Sequence, residues 1–249
     1  MSEVHRMDQV TSTNDVALEL AQGGAPSGTL VMADQQTGGR GRRGRSWFSP
    51  PGANVYLSCV HRSRLPMESL AGLTLDVANA VATTLEDLTG LQPRLKWPND
   101  VLLDGRKIAG ILTELHAEDT PVVIVGVGLN VNVTNDDLPA ELKTTAISLQ
   151  MATGQTWDTT QVGDLLGRRI REKLAGYELS AEPDLTAFSR RFGGQGVRAR
   201  VQGPDGPAEG TILGVAADGA LEVAIDGQQN PWRVRSGEVD LLDQQTGGG

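Results

Sequence analysis

Four arginines fall within six residues in the run Gly39-Arg40-Gly41-Arg42-Arg43-Gly44-Arg45, and Ser46-Trp47 closes it. Guanidinium forks match phosphate and carboxylate. The glycines between them let the backbone take positive φ and lie close to a ligand. Trp47 offers a flat face on which a ring can stack. The chemistry such a loop suits is capture of a small, multiply charged anion carrying an aromatic base. From the run alone, a nucleic-acid-binding tract or a solvated basic surface stands equally open. Its setting favours the ligand loop. The run is short, does not recur, and lies between two apolar stretches, Thr29-Leu30-Val31-Met32-Ala33 and Asn54-Val55-Tyr56-Leu57-Ser58-Cys59-Val60. A loop between two strands is where a folded domain places a binding site.

Two further segments hold chemistry-bearing side chains. Lys96-Trp97-Pro98-Asn99-Asp100 is followed by Arg106-Lys107-Ile108-Ala109-Gly110. On the structural reading Trp97 is a core anchor, Pro98-Asn99 a turn and Lys107 a solvated strand residue. On the functional reading Asn99 and Asp100 converge on a site from a turn, and Lys107 opens an apolar strand whose Gly110 lets a ligand approach. Ser12-Thr13-Asn14 precedes an apolar-periodic stretch that stops at Gly23-Gly24, which reads as a capped helix. Capping and ligand binding are compatible, because a helix N-terminus presents free N–H groups.

These residues need elements to hold them. Spacing of three or four predicts one long helix over 67–88, stopped by Gly90, and a second over 160–178, with a short one at 185–192. Strand-like runs lie at 94–97, 101–103, 108–115 and 122–127, with Asp104-Gly105 as a hairpin turn. Beyond Gly193-Gly194-Gln195-Gly196 the pattern changes to short alternating strands separated by Asp205-Gly206, Asp218-Gly219 and Asp226-Gly227, as in a small barrel. The predicted architecture is α/β: a mixed sheet with flanking helices over 1–193, a small β-barrel over 194–243, and a disordered tail at 244–249.

Composition narrows the partners. The 249 residues carry 22 basic and 31 acidic side chains, a net charge of −9, which disfavours a bulk polyanion binder. The single cysteine, Cys59, excludes an internal disulfide and reads as a buried thiol rather than a nucleophile. No stretch approaches the ~20 apolar residues of a membrane span, and the N-terminus has no signal core. A cytoplasmic home is expected.

In order and spacing, Ser12-Thr13-Asn14, Gln36, the 39–47 loop, Lys96 to Asp100, Arg106-Lys107 with Ala109-Gly110, and Gly126-Val127-Gly128-Leu129-Asn130 resemble the biotin–protein ligases, also called biotin–[acetyl-CoA-carboxylase] ligases. The resemblance covers nearly the whole chain. It implies a class II synthetase-like catalytic fold with an SH3-like C-terminal barrel. It also implies two steps: biotin's carboxylate attacks the α-phosphate of ATP to give biotinyl-5′-AMP and pyrophosphate, and a carrier lysine then attacks the mixed anhydride. Gly38, where relatives often have alanine, is a small departure.

Carried over residue by residue, Ser12, Thr13, Asn14 and Gln36 would bind biotin, with Gly41 and Gly110 close to it. Lys107 would bridge the biotin carboxylate and the α-phosphate, and Arg40 and Arg42 would hold that linkage. Arg43 and Arg45 would face pyrophosphate or the carrier. Trp47 would stack on adenine, with Asn99 and Asn130 lining the ATP site. Asp100 would orient or deprotonate the acceptor amine, unless it is a structural turn carboxylate. Mg²⁺ is expected with ATP; its ligands are not legible.

The implied partner is a biotin carrier domain of acetyl-CoA, propionyl-CoA or pyruvate carboxylase, with the ligase a monomer or homodimer. Only about ten residues precede Ser12, so a winged helix-turn-helix domain and DNA binding are not expected. The rivals are a lipoate or octanoate ligase of the same fold and an RG-type nucleic-acid-binding module. Lipoate and octanoate enzymes generally lack the long arginine loop, and octanoyl transferases need a Cys–Lys pair that Cys59 is not placed to form.

Overall fold

Runs of β-branched and aliphatic residues build the centre of the molecule, whose structure, a computed structural model, describes residues 3–117, 120–203, 206–235, 237 and 239–242. The expected tail at 244–249, and Asp205 of the expected Asp205-Gly206 turn, lie outside those residues. In chain order the elements are β1 (Val4–Val10), α1 (Thr13–Gln22), β2 (Leu30–Gln36), β3 (Val55–Arg62), α2 (Leu73–Thr89), β4 (Arg94–Lys96), β5 (Asp100–Leu103), β6 (Arg106–His116) and β7 (Val122–Leu129). Then follow α3 (Leu149–Thr153), α4 (Thr159–Ser180), α5 (Leu185–Arg191), β8 (Arg198–Gly203), β9 (Gly206–Val215), β10 (Leu221–Ile225), β11 (Trp232–Val234) and β12 (Val239–Leu241).

The first seven strands pair in the order β1-β2-β3-β7-β6-β5-β4. The β1–β2 pair is parallel and the other neighbours are antiparallel. Alternation along the central strands explains why β3 and β7 are buried on both sides. Leu57, Cys59, Val123 and Val125 face α2 and α4, whereas Val60, Val122 and Ile124 face α1 with Ala17 and Ala21. Strands covered on both faces read as continuous apolar runs.

The expected helix over 67–88 divides in two. A 3-10 turn, Met67–Leu70, precedes α2, and the break falls at Gly72. A Cβ there would stand 2.8 Å from Pro183 Cγ, so any larger residue would push the α4–α5 connection aside. Tyr177 Oη donates to Ser69 O at 2.5 Å and fixes the turn. Gly90 ends α2 in the left-handed conformation, φ 73°, as its position predicts. Strand β1 has no counterpart among the expected strands; it is an edge strand, mostly exposed, without an apolar alternation.

The last five strands form an antiparallel sheet in the order β11-β10-β9-β8-β12, the SH3-like part of the α/β architecture. It docks on the start of α2 and on Trp97. Trp97 is 3% exposed and donates Nε1–H to Gly219 O at 3.0 Å. Trp97 is therefore the core anchor of the structural reading, and it joins the two sheets. Among the described residues no helix is long and apolar enough to cross a membrane.

Candidate functional site

A cavity of about 270 Å³ opens between the N-terminus of α1, the 39–47 loop and the bare face of β6 and β7. Of the residues expected at the site, Ser12, Thr13, Asn14, Gln36, Arg40, Gly41, Arg42, Arg45, Trp47, Asn99, Asp100, Lys107, Gly110 and Asn130 line it. Arg43 does not. It stands at φ 57° at the exposed tip of the loop, its Nη2 3.8 Å from where a Cβ on Gly237 would lie. The loop is ordered by its own bonds: Gly41 N–H donates to Arg45 O at 2.7 Å and Trp47 N–H to Gly39 O at 2.9 Å.

One end of the cavity is neutral and polar. Ser12 caps α1, its Oγ accepting from Asn14 N at 3.3 Å. Gln36 Oε1 accepts from Thr13 N at 2.9 Å, and Gln36 Nε2 donates to Ser49 Oγ at 3.1 Å. Ser58 Oγ lies 2.8 Å from Thr13 Oγ1 and donates to Asn14 Oδ1 at 2.6 Å. Asn14 Nδ2 donates to Glu114 Oε2 at 2.6 Å. Buried polar groups must be paired, and this network pairs them while fixing the direction of each. Sequence reasoning missed Ser49, Ser58 and Glu114. The signal available was a polar residue inside an otherwise apolar strand for Ser58 and Glu114; Ser49, in the connection before β3, carried none.

Glycine makes much of the floor, with Leu112 beside it. Gly110 and Gly128 are cross-strand partners on β6 and β7, and Gly126 lies two residues along. A Cβ at Gly126 would fall 2.2 Å from Asn14 Oδ1, and one at Gly128 2.3 Å from Trp47 Cε2. Asn14 and Trp47 therefore lie flat on the main chain. Lys107 Nζ stands over the Trp47 ring, 5.3 Å from its centroid, within range of a cation–π contact. Among the described residues Trp47 Nε1 is buried without a hydrogen-bond partner.

The other end is charged. Lys107 Nζ lies 2.6 Å from Asp100 Oδ1. Arg42 Nη1 donates to Asn99 Oδ1 at 3.1 Å, and Asn99 Nδ2 donates to Ile111 O at 3.0 Å. Asn130 Nδ2 donates to Ile147 O at 3.1 Å and to Lys107 O at 3.4 Å, clasping the end of β7 to its neighbours. Arg40 is spent differently. Its two terminal nitrogens donate to Asp15 Oδ2 at 2.8 Å and Oδ1 at 2.5 Å, with Glu114 Oε1 at 3.9 Å. The hydrogen bond from Arg40 holds the Asp15 carboxyl below the usual range. Cys59 lies outside the cavity, fully buried, and burial pushes its thiol up to about 12.

Comparison with known proteins agrees with this geometry. The model of the biotin/lipoate A/B protein ligase family matches residues 6–132, and that of the biotin protein ligase C terminal domain matches residues 192–242. The bifunctional ligase/repressor BirA of Bacillus subtilis is 36% identical over 237 residues, covering 94% of this chain and 72% of that protein. The biotin–[acetyl-CoA-carboxylase] ligase of Mycobacterium tuberculosis is 34% identical over 216 residues, 84% of this chain and 77% of that protein. The structure of the biotin protein ligase from Aquifex aeolicus in complex with biotin and ATP superimposes with a TM-score of 0.82 at 30% identity, covering 97% of this chain and 99% of that one. Matched over most of its length in sequence and in fold, the chain belongs to the biotin/lipoate protein ligase family and groups there with the biotin–protein ligases.

Proposed function

We propose that this protein joins biotin to a lysine of a biotin carrier domain through biotinyl-5′-AMP. The observation that carries the reading is the polarity of one cavity. A neutral hydrogen-bonding end, built on Thr13, Asn14 and Gln36, runs without a break into an end lined by Arg42, Arg45 and Lys107. That polarity fits an acid whose ring system is uncharged and whose carboxylate must meet a phosphate.

In the first step a carboxylate oxygen attacks the α-phosphorus and pyrophosphate leaves, so two anions must approach. Lys107 and Arg42 supply the fixed positive charge that stabilises them. Arg45 is placed for the departing pyrophosphate, and Arg43, outside the cavity, for the carrier. Trp47 stacks the adenine once Lys107 turns from the ring to the anions. Asn130 has committed its amide N–H₂ to two carbonyls, so Oδ1 is the atom it offers the nucleotide.

Among the described residues no group of three or more His, Cys, Asp or Glu is arranged to hold a metal ion. The site therefore suits Mg²⁺ that arrives on the triphosphate, as Mg²⁺ commonly does. Bound there, the ion would screen the phosphate charge.

In the second step the carrier's ε-amine attacks the acyl carbon and AMP leaves. A free lysine has a pKa of about 10.4 and needs a base at neutral pH. Asp100 fills that role when Lys107 shifts to the phosphate and releases Oδ1. The catalytic part is assigned to 1–193 and the SH3-like part to 194–243, and the acceptor is the carrier domain of an acyl-CoA or pyruvate carboxylase.

The test is pyrophosphate release from Mg-ATP with biotin, lipoate or octanoate as the acid. Turnover with biotin, abolished in Lys107→Gln, followed by labelling of one carrier lysine, is the expected result. Turnover with lipoate in its place would move the protein to the sister ligases.

A further inference from the structure

Arg40 and Arg42 strap the glycine-rich loop to opposite walls of the cavity. Arg42 Nη1 donates to Asn99 Oδ1, in the connection between β4 and β5. Arg40 reaches Asp15, in the first turn of α1, through two charge-assisted bonds at 2.8 and 2.5 Å, the stronger kind of hydrogen bond. The two straps differ in what a ligand does to them. Arg42 lies at the charged end, and an incoming anion competes with Asn99 for its guanidinium. Arg40 already has carboxylates on two sides, Asp15 and, at 3.9 Å, Glu114, so its positive charge is neutralised before any anion arrives.

Asp15 is well placed as the fixed post of that strap. It follows Ser12, Thr13 and Asn14, which line the cavity, on a helix start capped by Ser12. The positive end of a helix also favours a carboxylate in its first turn. Within the 39–47 loop the two arms are tied to each other by the Arg40–Ser46 bridge and the Gly41–Arg45 and Gly39–Trp47 bonds. None of these ties it to α1.

We propose that Asp15 is a positioning residue: by pairing with Arg40 it keeps the loop fastened to α1 after Arg42 has turned to the ligand, and so holds the acyl-adenylate in the cavity until the acceptor amine arrives. This rests on the adenylate-forming function proposed above. It also changes the part given to Arg40, which acts on the ligand by holding the loop rather than by donating to the carboxylate–phosphate linkage.

The experiment uses the full chain loaded with labelled biotin and Mg-ATP. After free substrates are removed, release of labelled biotinyl-AMP is followed in the presence of excess unlabelled biotin. Both side chains of the pair are more than a third exposed, so a modest effect is expected. Asp15→Asn should release the adenylate about three- to fivefold faster than wild type, the range an exposed ion pair supports. The first-turnover rate of pyrophosphate release should stay within about twofold of wild type, because the anion-contacting residues are untouched.

Asp15→Glu should restore retention. In an Arg40→Gln background Asp15→Asn should add nothing, since residues acting through one contact are not additive. The gap between wild type and Asp15→Asn should narrow in 1 M salt, where exposed charges are screened. Asp15→Ser, which keeps a good helix-start residue, serves if Asp15→Asn folds poorly. Unchanged release, or an equal acceleration in the Arg40→Gln background, overturns the proposal. A wild-type protein that forms no adenylate at all overturns the function beneath it.

Discussion

Lys107 Nζ and Asp100 Oδ1 stand 2.6 Å apart on neighbouring strands, so the cation proposed for adenylation and the base proposed for transfer neutralise each other at rest. Each is available only when the other is engaged elsewhere. Under the function proposed above, that coupling would order the two half-reactions: phosphate draws Lys107 away first, and only then does the carboxylate face an incoming amine.

Asp100→Asn separates the steps. Adenylation, read as biotin-dependent pyrophosphate release in a single turnover, should fall less than about tenfold, while transfer from preformed adenylate to a carrier lysine should drop by roughly 10²-fold or more, the range for loss of a general base. Equal loss in both steps would make Asp100 a turn carboxylate that merely supports Lys107.

Arg42→Gly removes the strap to Asn99 and a donor at the charged end together. Biotinyl-AMP should then escape and label bystander lysines. Mass spectrometry of a mixture of carrier and albumin should find biotin on both with the variant and on the carrier alone with the wild-type protein. Label confined to the carrier in both cases would remove Arg42 from adenylate retention.

Gly126→Ala places a methyl group 2.2 Å from Asn14 Oδ1. Asn14 must move, and its bonds to Ser58 and Glu114 move with it. Overpacking of this kind costs about 1–3 kcal/mol. Biotin affinity by calorimetry should fall, and the urea midpoint should fall with it. Unaltered binding would mean that Asn14 does not set the shape of the neutral end.

His61 is buried at 4% exposure, with Nε2 3.3 Å from Glu178 and Nδ1 3.3 Å from Ser27 Oγ. Burial outweighs the nearby carboxylate and depresses the imidazole below its usual value. The unfolded chain, with an ordinary histidine near 6.5, therefore takes up a proton before the folded one does. The contribution to stability is complete above about pH 6.5 and is lost as pH falls through the depressed folded value. Tm should decline between pH 7 and 5 in wild type and decline less in His61→Gln. Parallel profiles would assign the acid sensitivity to other groups.

The residues show why some of this was legible in sequence and some was not. Helices α2 and α4 carry their own apolar spacing, and Gly90 carries its own stop. The arginine loop and the Lys96–Asp100 segment are dense enough in unusual residue types to be recognised, and all the expected site residues except Arg43 meet in one cavity. What local pattern could not supply is partnership across the sheet. Ser58 reads as a polar break in a strand until β3 is laid beside α1. Glu114 reads as a solvent-facing alternation until Asn14, 100 residues away, is found against it. Arg40 reads as an anion ligand, and nothing in its neighbours along the chain shows that Asp15 takes both of its terminal nitrogens. Strand β1 was invisible because an exposed edge strand needs no apolar alternation.

The bare strip of main chain at Gly110, Gly126 and Gly128 also limits how this enzyme's choice of acid can change. A pocket floored by side chains can be deepened by trimming them, but at these three glycines there is nothing to trim, and any substitution there makes the cavity shallower. Over this strip, room for a bulkier acid comes from above, by shortening Trp47 or Asn14. Along this strip the shape of the cavity is therefore set by the loop and the helix start, and the glycines beneath can stay unchanged while the substrate range drifts.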